Sequence, residues 1–134
     1  MLEQGLVVLL LANTRVSALV GARIYPVQGP PANPVYPYIT YQDIPAESTD
    51  YTFDPGVVMD TRRIQFTYWG LMACDGANIM IAQRNALSGF TGTLADADAT
   101  RVIFAKHGTF LNNFDVDSRS YRSVDEYEFQ ISEP

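Results

Sequence analysis

Apolar and polar positions recur along this chain with two different periods, and each change of period marks an element. Residues 62–69 read Arg62-Arg63-Ile64-Gln65-Phe66-Thr67-Tyr68-Trp69. Ile64, Phe66 and Tyr68 fall on one side, and Arg63, Gln65, Thr67 and Trp69 on the other, the period of two that a half-buried strand imposes. Gly70 ends the run, and Asp75 is placed to cap a helix over about 76–87. On a 3.6-residue wheel Ile79, Met80, Ala82, Ala86, Leu87 and then Phe90 share one arc, opposed by Asn78, Arg84 and Asn85. Ser88-Gly89 supplies the stop.

The rest of the chain reads as cover for this strand and helix. Leu2, Leu6, Leu9 and Leu10 predict a first helix over 2–12, with Gly5 an interior weakness of about 1 kcal/mol. Thr14 is placed to cap a short second turn through Val16, Leu19 and Val20, closed by Gly21. Residues 23–27 predict a brief strand. Pro26, Pro30, Pro31, Pro34 and Pro37 then hold the backbone extended. Residues 38–44 predict a strand with apolar side chains on both faces, as expected where each face is buried or one meets another subunit.

The stretch 45–60 is long for a connection. It carries Glu47, Asp50, Asp54 and Asp60, no basic residue, and Tyr51, Phe53, Val57, Val58 and Met59 between them. An acidic, aromatic surface loop is the expectation. Residues 101–110 and 120–131 predict two long strands, the second with Tyr127, Phe129 and Ile131 alternating against Glu126, Glu128 and Gln130. Gly108 marks a bulge or bend, and 112–118 is rich in turn formers. The expected fold is α+β: a mainly antiparallel sheet of four to five strands with two helices on one face, in the order α-β-β-β-α-β-β. The 134 residues suit one domain, 1–134, with the acidic loop at about 45–60 extending from it.

Charge and chemistry narrow the function. A formal charge of −6 excludes nucleic-acid binding through clustered Lys and Arg. The apolar stretch 6–12 lacks a basic lead and is far shorter than the ~20 residues of a membrane span, so no membrane is expected and the expectation is an intracellular, soluble product. Cys74 and His107, each the sole residue of its type, are the conceivable Cys-His nucleophile pair. No third residue orients the histidine, and Cys74 otherwise reads as a small residue ahead of a helix. Asp96-Ala97-Asp98 and Asp115-Val116-Asp117 do not continue into a calcium loop, and turn acidity explains them. Arg62-Arg63 reads as phosphate contact or, more plainly, as edge-strand charge. No catalytic, cofactor or metal site is expected. Ile81 falls beside Asn78 and Arg84, away from the core arc. With the two-faced strand and the aromatic loop, it points to a subunit contact.

Several passages, taken in order, resemble the tail-completion or tail-terminator (tail-to-head joining) proteins of long-tailed bacteriophages. They are Val16-Ser17-Ala18-Leu19-Val20-Gly21 followed by Arg23-Ile24-Tyr25-Pro26, then Pro37-Tyr38-Ile39-Thr40-Tyr41 and Tyr68-Trp69-Gly70. Ala86-Leu87 closes the helix, and Tyr127-Glu128-Phe129-Gln130-Ile131 ends the last strand. The resemblance spans nearly the whole chain. It implies a ring, typically hexameric, that caps the head-proximal end of the tail tube, stops tube polymerisation and presents a surface to the neck or connector proteins of the capsid. Its place would be the virion head-tail junction, after assembly in the host cytoplasm. On that reading Tyr51, Phe53, Val57, Val58, Met59 and Ile81 are candidates for subunit or tube contacts. Asp50, Asp54 and Asp60 are candidates for a negative lumen through which DNA passes unbound. The alternatives are another neck adaptor and, from a different class, a small ligand-binding domain.

Overall fold

The computed structural model describes residues 2–44, 49–51, 58–94, 101–115 and 119–132. In chain order they form α1 (Leu2–Ala12), α2 (Thr14–Val20), β1 (Ile24–Pro26), β2 (Tyr38–Ile44), β3 (Thr49–Tyr51), β4 (Val58–Gly70), α3 (Asp75–Leu87), β5 (Gly92–Thr93), β6 (Arg101–Asp115) and β7 (Ser120–Ser132). The strands make one seven-stranded sheet of order β1-β2-β4-β7-β6-β5, with β3 paired to β4 as well. The sheet is mixed. β1 lies parallel to β2, whereas β4 runs antiparallel to β2, β3 and β7, and β6 antiparallel to β7 and β5.

The α+β class therefore stands, whereas the expected size of the sheet and its expected mainly antiparallel make-up do not. Seven strands and three helices replace four to five strands and two helices. Two of the extra strands have only two or three residues, too short to show a period, and parallel pairing of β1 leaves no local mark in sequence. The stretch 45–60 is not one loop, because β3 folds back on β4 with Asp50 opposite Met59 and Tyr51 opposite Val58. β4 consequently begins at Val58. β6 runs on to Asp115, past Asn112 and Asn113, so the first four residues of the expected connection at 112–118 belong to the strand.

One core joins the helices to one face of the sheet. Leu2, Leu6 and Leu10 of α1, Val16 and Val20 of α2, and Ile79, Ala82 and Leu87 of α3 pack with Ile39, Ile64, Phe66, Tyr68, Tyr127, Phe129 and Ile131. Burying each such side chain contributes about 1.5–3 kcal/mol. Gly5 is explained by this packing. A Cβ there would stand 2.6 Å from the Cβ of Leu94, so α1 reaches its seat only without a side chain at that position. Gly76 does the same for α3, where a Cβ would meet the Ser123 hydroxyl at 1.9 Å.

Two capping expectations shift by one residue. Asn13, not Thr14, caps α2, its Oδ1 accepting from the amides of Arg15 and Val16 at 3.1 Å. Cys74 occupies the N-cap of α3 without a side-chain bond, and Asp75 instead accepts from the Met72 amide at 3.1 Å, tying the β4–α3 turn. Gly21, at φ 60°, closes α2 as expected. Among the described residues no single helix is long and apolar enough to cross a membrane, and α1 and α2 meet at a 90° bend.

Candidate interaction surfaces

The alternation of β4 and β7 that fills the core on one side presents the opposite face of the sheet to solvent. That face carries Arg63, Gln65, Thr67 and Trp69 of β4 beside Arg122, Val124, Glu126 and Glu128 of β7. Toward the β1 margin it turns aromatic. Tyr38 stacks on Trp69 with centroids 5.9 Å apart, Tyr25 and Tyr36 pack on Tyr38, and the indole of Trp69 donates to Thr40 Oγ1 at 3.2 Å. The apolar second face of β2 is thus satisfied inside the subunit.

Arg62 and Arg63 have separate fates. β4 is an interior strand, so neither is an edge charge. Arg62 pairs with Glu3 of α1 at 3.2 Å and with Asp43 of β2, fastening the first helix to the sheet. The three groups are each partly exposed, and solvent screening holds such pairs to about 0–1 kcal/mol. Arg63 lies exposed on the open face.

A polar cluster is buried between α3 and the sheet. Tyr68 donates to Asp125 Oδ2 at 2.7 Å, and His107 Nε2 lies 2.5 Å from Asp125 Oδ1. Burial pushes the Asp125 carboxyl above its ordinary value, opposed by the Tyr68 hydrogen bond and by His107. Burial and then the Asp125 charge push the Tyr68 hydroxyl well up, and the same causes raise Tyr127. Gln83 of α3 is fully enclosed. Sequence reading missed Asp125, although the period of two that buries Tyr127 also carries Ser123 and Asp125 inward.

This cluster does not recruit Cys74. The Cys74 neighbour Ala73 accepts from Asn112 of β6, five residues along that strand from His107. That places Cys74 beside the Asn112 stretch of β6, and no contact joins it to His107 among the described residues. Cys74 is exposed. Among the described residues no group of three or more His, Cys, Asp or Glu is arranged to hold a metal ion. Asp115 ends β6, whereas Asp96, Asp98 and Asp117 lie outside the described residues.

The interface candidates fall on two separate elements. Ile81 stands 46% exposed on α3. Tyr51 and Asp50 belong to β3, and Val58, Met59 and Asp60 open β4, while Phe53, Asp54 and Val57 lie outside the described residues. Further exposed apolar residues, unmarked by sequence reading, stand where β4 runs into α3 and on the β6–β7 hairpin, Leu111 and Phe114 on opposite faces of β6. Leu71, Met72, Leu111 and Phe114 are 62%, 61%, 62% and 52% exposed. Gly70, just before Leu71, pairs with Tyr121, whose ring packs on Phe114 at 5.1 Å. The available signal was Leu71-Met72 directly behind a strand-ending glycine, where a surface turn is normally polar.

A family model described as tail completion protein gp17 matches residues 4–131. No curated protein sequence matches the chain. Among solved structures, a chain of the virion of a native gene transfer agent (GTA) particle superposes with a TM-score of 0.75 at 16% identity. The alignment covers 98% of this chain and 94% of that one. At this identity the likeness is one of fold.

Proposed function

Because this chain belongs to the tail completion protein gp17 family, we propose that it is a phage virion structural protein that closes the head-proximal end of the tail tube as a ring. The ring stops further tube growth and offers the surface to which the neck of the capsid joins. Its partners are further copies of itself, the tail tube protein and the connector proteins. The role needs shape and adhesion and no bond made or broken. The observation that supports it is the exposed apolar side chains near one end of the sheet, Leu71 and Met72 behind Gly70 and Phe114 beside Tyr121, the residue that pairs with Gly70. Patches of this kind on soluble proteins mark contacts with other chains. On this reading Asp50, Asp54 and Asp60 of the sequence stretch 45–60 supply negative charge that discourages phosphates from binding in transit.

Negative-stain imaging of the purified protein, alone and mixed with tail tubes lacking it, tests this reading. The expected result is a ring on one end of each tube, with tubes that grow past their normal length when the protein is left out. Binding to isolated connectors and not to tubes would assign it to the neck as an adaptor instead.

A further inference from the structure

The turn between β4 and α3 is made of residues that do not close turns by themselves. Leu71, Met72, Ala73 and Cys74 include no Gly, Pro, Asn, Asp or Ser, the types whose own chemistry shapes a turn. All four are exposed.

Their arrangement is imposed from outside. Met72 and Asp75 exchange two hydrogen bonds, the Met72 amide donating to Asp75 Oδ2 and the Asp75 amide to the Met72 carbonyl, each at 3.1 Å. Gly70 leaves room for this carboxylate, because a Cβ there would stand 2.4 Å from Asp75 Cβ. From the other side, Asn112 of β6 donates from Nδ2 to the Ala73 carbonyl at 3.5 Å, and its Oδ1 accepts from Ser123 Oγ at 2.9 Å. Ser123 is fully buried, and Gly76 seats α3 against it. Three strands and a helix thus fasten one short exposed segment.

That fastening keeps two large apolar side chains in water, at the end of the sheet where Phe114 packs on Tyr121, the residue paired with Gly70. Exposed apolar surface adds nothing to the stability of an isolated subunit. A segment already held in shape, however, binds without the ordering cost of a loose loop.

We propose that Asp75 and Asn112 are positioning residues for the contact at this end, holding Leu71 and Met72 in the shape in which they meet the end of the tail tube. The proposal rests on the tube-end reading and identifies what readies that end for contact. Both residues act through the backbone of the turn.

Three variants of the full chain test it. Asp75→Ala removes the acceptor of the Met72 amide, Asp75→Asn keeps an acceptor without the charge, and Asn112→Ala cuts the second fastening while leaving the helix end intact. Amide hydrogen exchange at Met72 should quicken about tenfold or more in Asp75→Ala and stay slow in Asp75→Asn. Affinity for tail tubes lacking the protein, measured by co-sedimentation, should fall about tenfold in Asp75→Ala and in Asn112→Ala and be kept in Asp75→Asn. Should Asp75→Ala fail to fold, Asn112→Ala decides the matter. Unchanged tube binding in a folded alanine variant overturns the proposal and leaves the tube-end reading standing. An equal loss in Asp75→Asn does the same, since charge would then be the cause. A natural chain that ignores tail tubes overturns the reading and the proposal together.

Discussion

The Tyr68 hydroxyl donates to the Asp125 carboxylate at 2.7 Å inside the core, linking β4 to β7 across 57 residues of sequence. Tyr68→Phe keeps the ring and its packing and strips one carboxylate oxygen of its donor. A buried acceptor left unmatched costs about 1–3 kcal/mol. Urea denaturation should show a loss of that size with an unchanged m value, since the buried area is the same.

Burial holds the Asp125 carboxyl above its ordinary value. The folded chain therefore keeps a proton that the unfolded chain has already released, in the window from the ordinary carboxylate value of about 4 upward. In that window the unfolded state binds fewer protons, so the contribution of this group to stability falls as pH rises. Asp125→Asn does not titrate. The stability of the natural chain relative to this variant should be greatest near pH 4 and decline toward neutrality, and a flat difference would refute the assignment.

Gly5→Ala sets two effects against each other. Helix propensity favours alanine by about 1 kcal/mol. The added Cβ, however, would stand 2.6 Å from Leu94 Cβ, and overpacking of this kind costs about 1–3 kcal/mol. Thermal melting should show net destabilisation, and a neutral or raised melting temperature would mean that Leu94 yields without cost.

Leu71→Ser with Phe114→Ser alters residues more than half exposed. The Leu71 change should move monomer stability by no more than about 0.5 kcal/mol, and the Phe114 change by about 0.5–1.5 kcal/mol for the lost ring contact with Tyr121. Tail joining, counted as infectious particles from complemented lysates, should nevertheless drop steeply. Full activity in the folded double variant would remove this end of the sheet from the contact surface.

The parts of the fold legible in sequence are those with several turns of a period behind them. β4 alternates over 63–69 and β7 over 126–131, and α1 repeats leucine at helical spacing, so each declared its type. What escaped has a physical cause. β3 and β5 are too short for any period and exist because long neighbours offer them a ladder. Asn112 and Asn113 favour turns locally, yet pairing with Arg122 and Ser123 holds them in β6. Gln83 and Asp125 look like surface residues by type and are enclosed by position. The exposed apolar end of the sheet needed coordinates, because exposure of Leu71 and Phe114 depends on elements folding away from them.

The long partnership of β4 with β7 also sets the order of events during synthesis. The central strand leaves the ribosome well before the strand that completes it, and closing so large a loop makes folding slow compared with helical proteins. The apolar end where β4 meets α3 is finished only when the β6–β7 hairpin arrives beside it. Translation thus acts as a timer, and the nascent chain leaves that end of the sheet unfinished until β6 and β7 have both emerged.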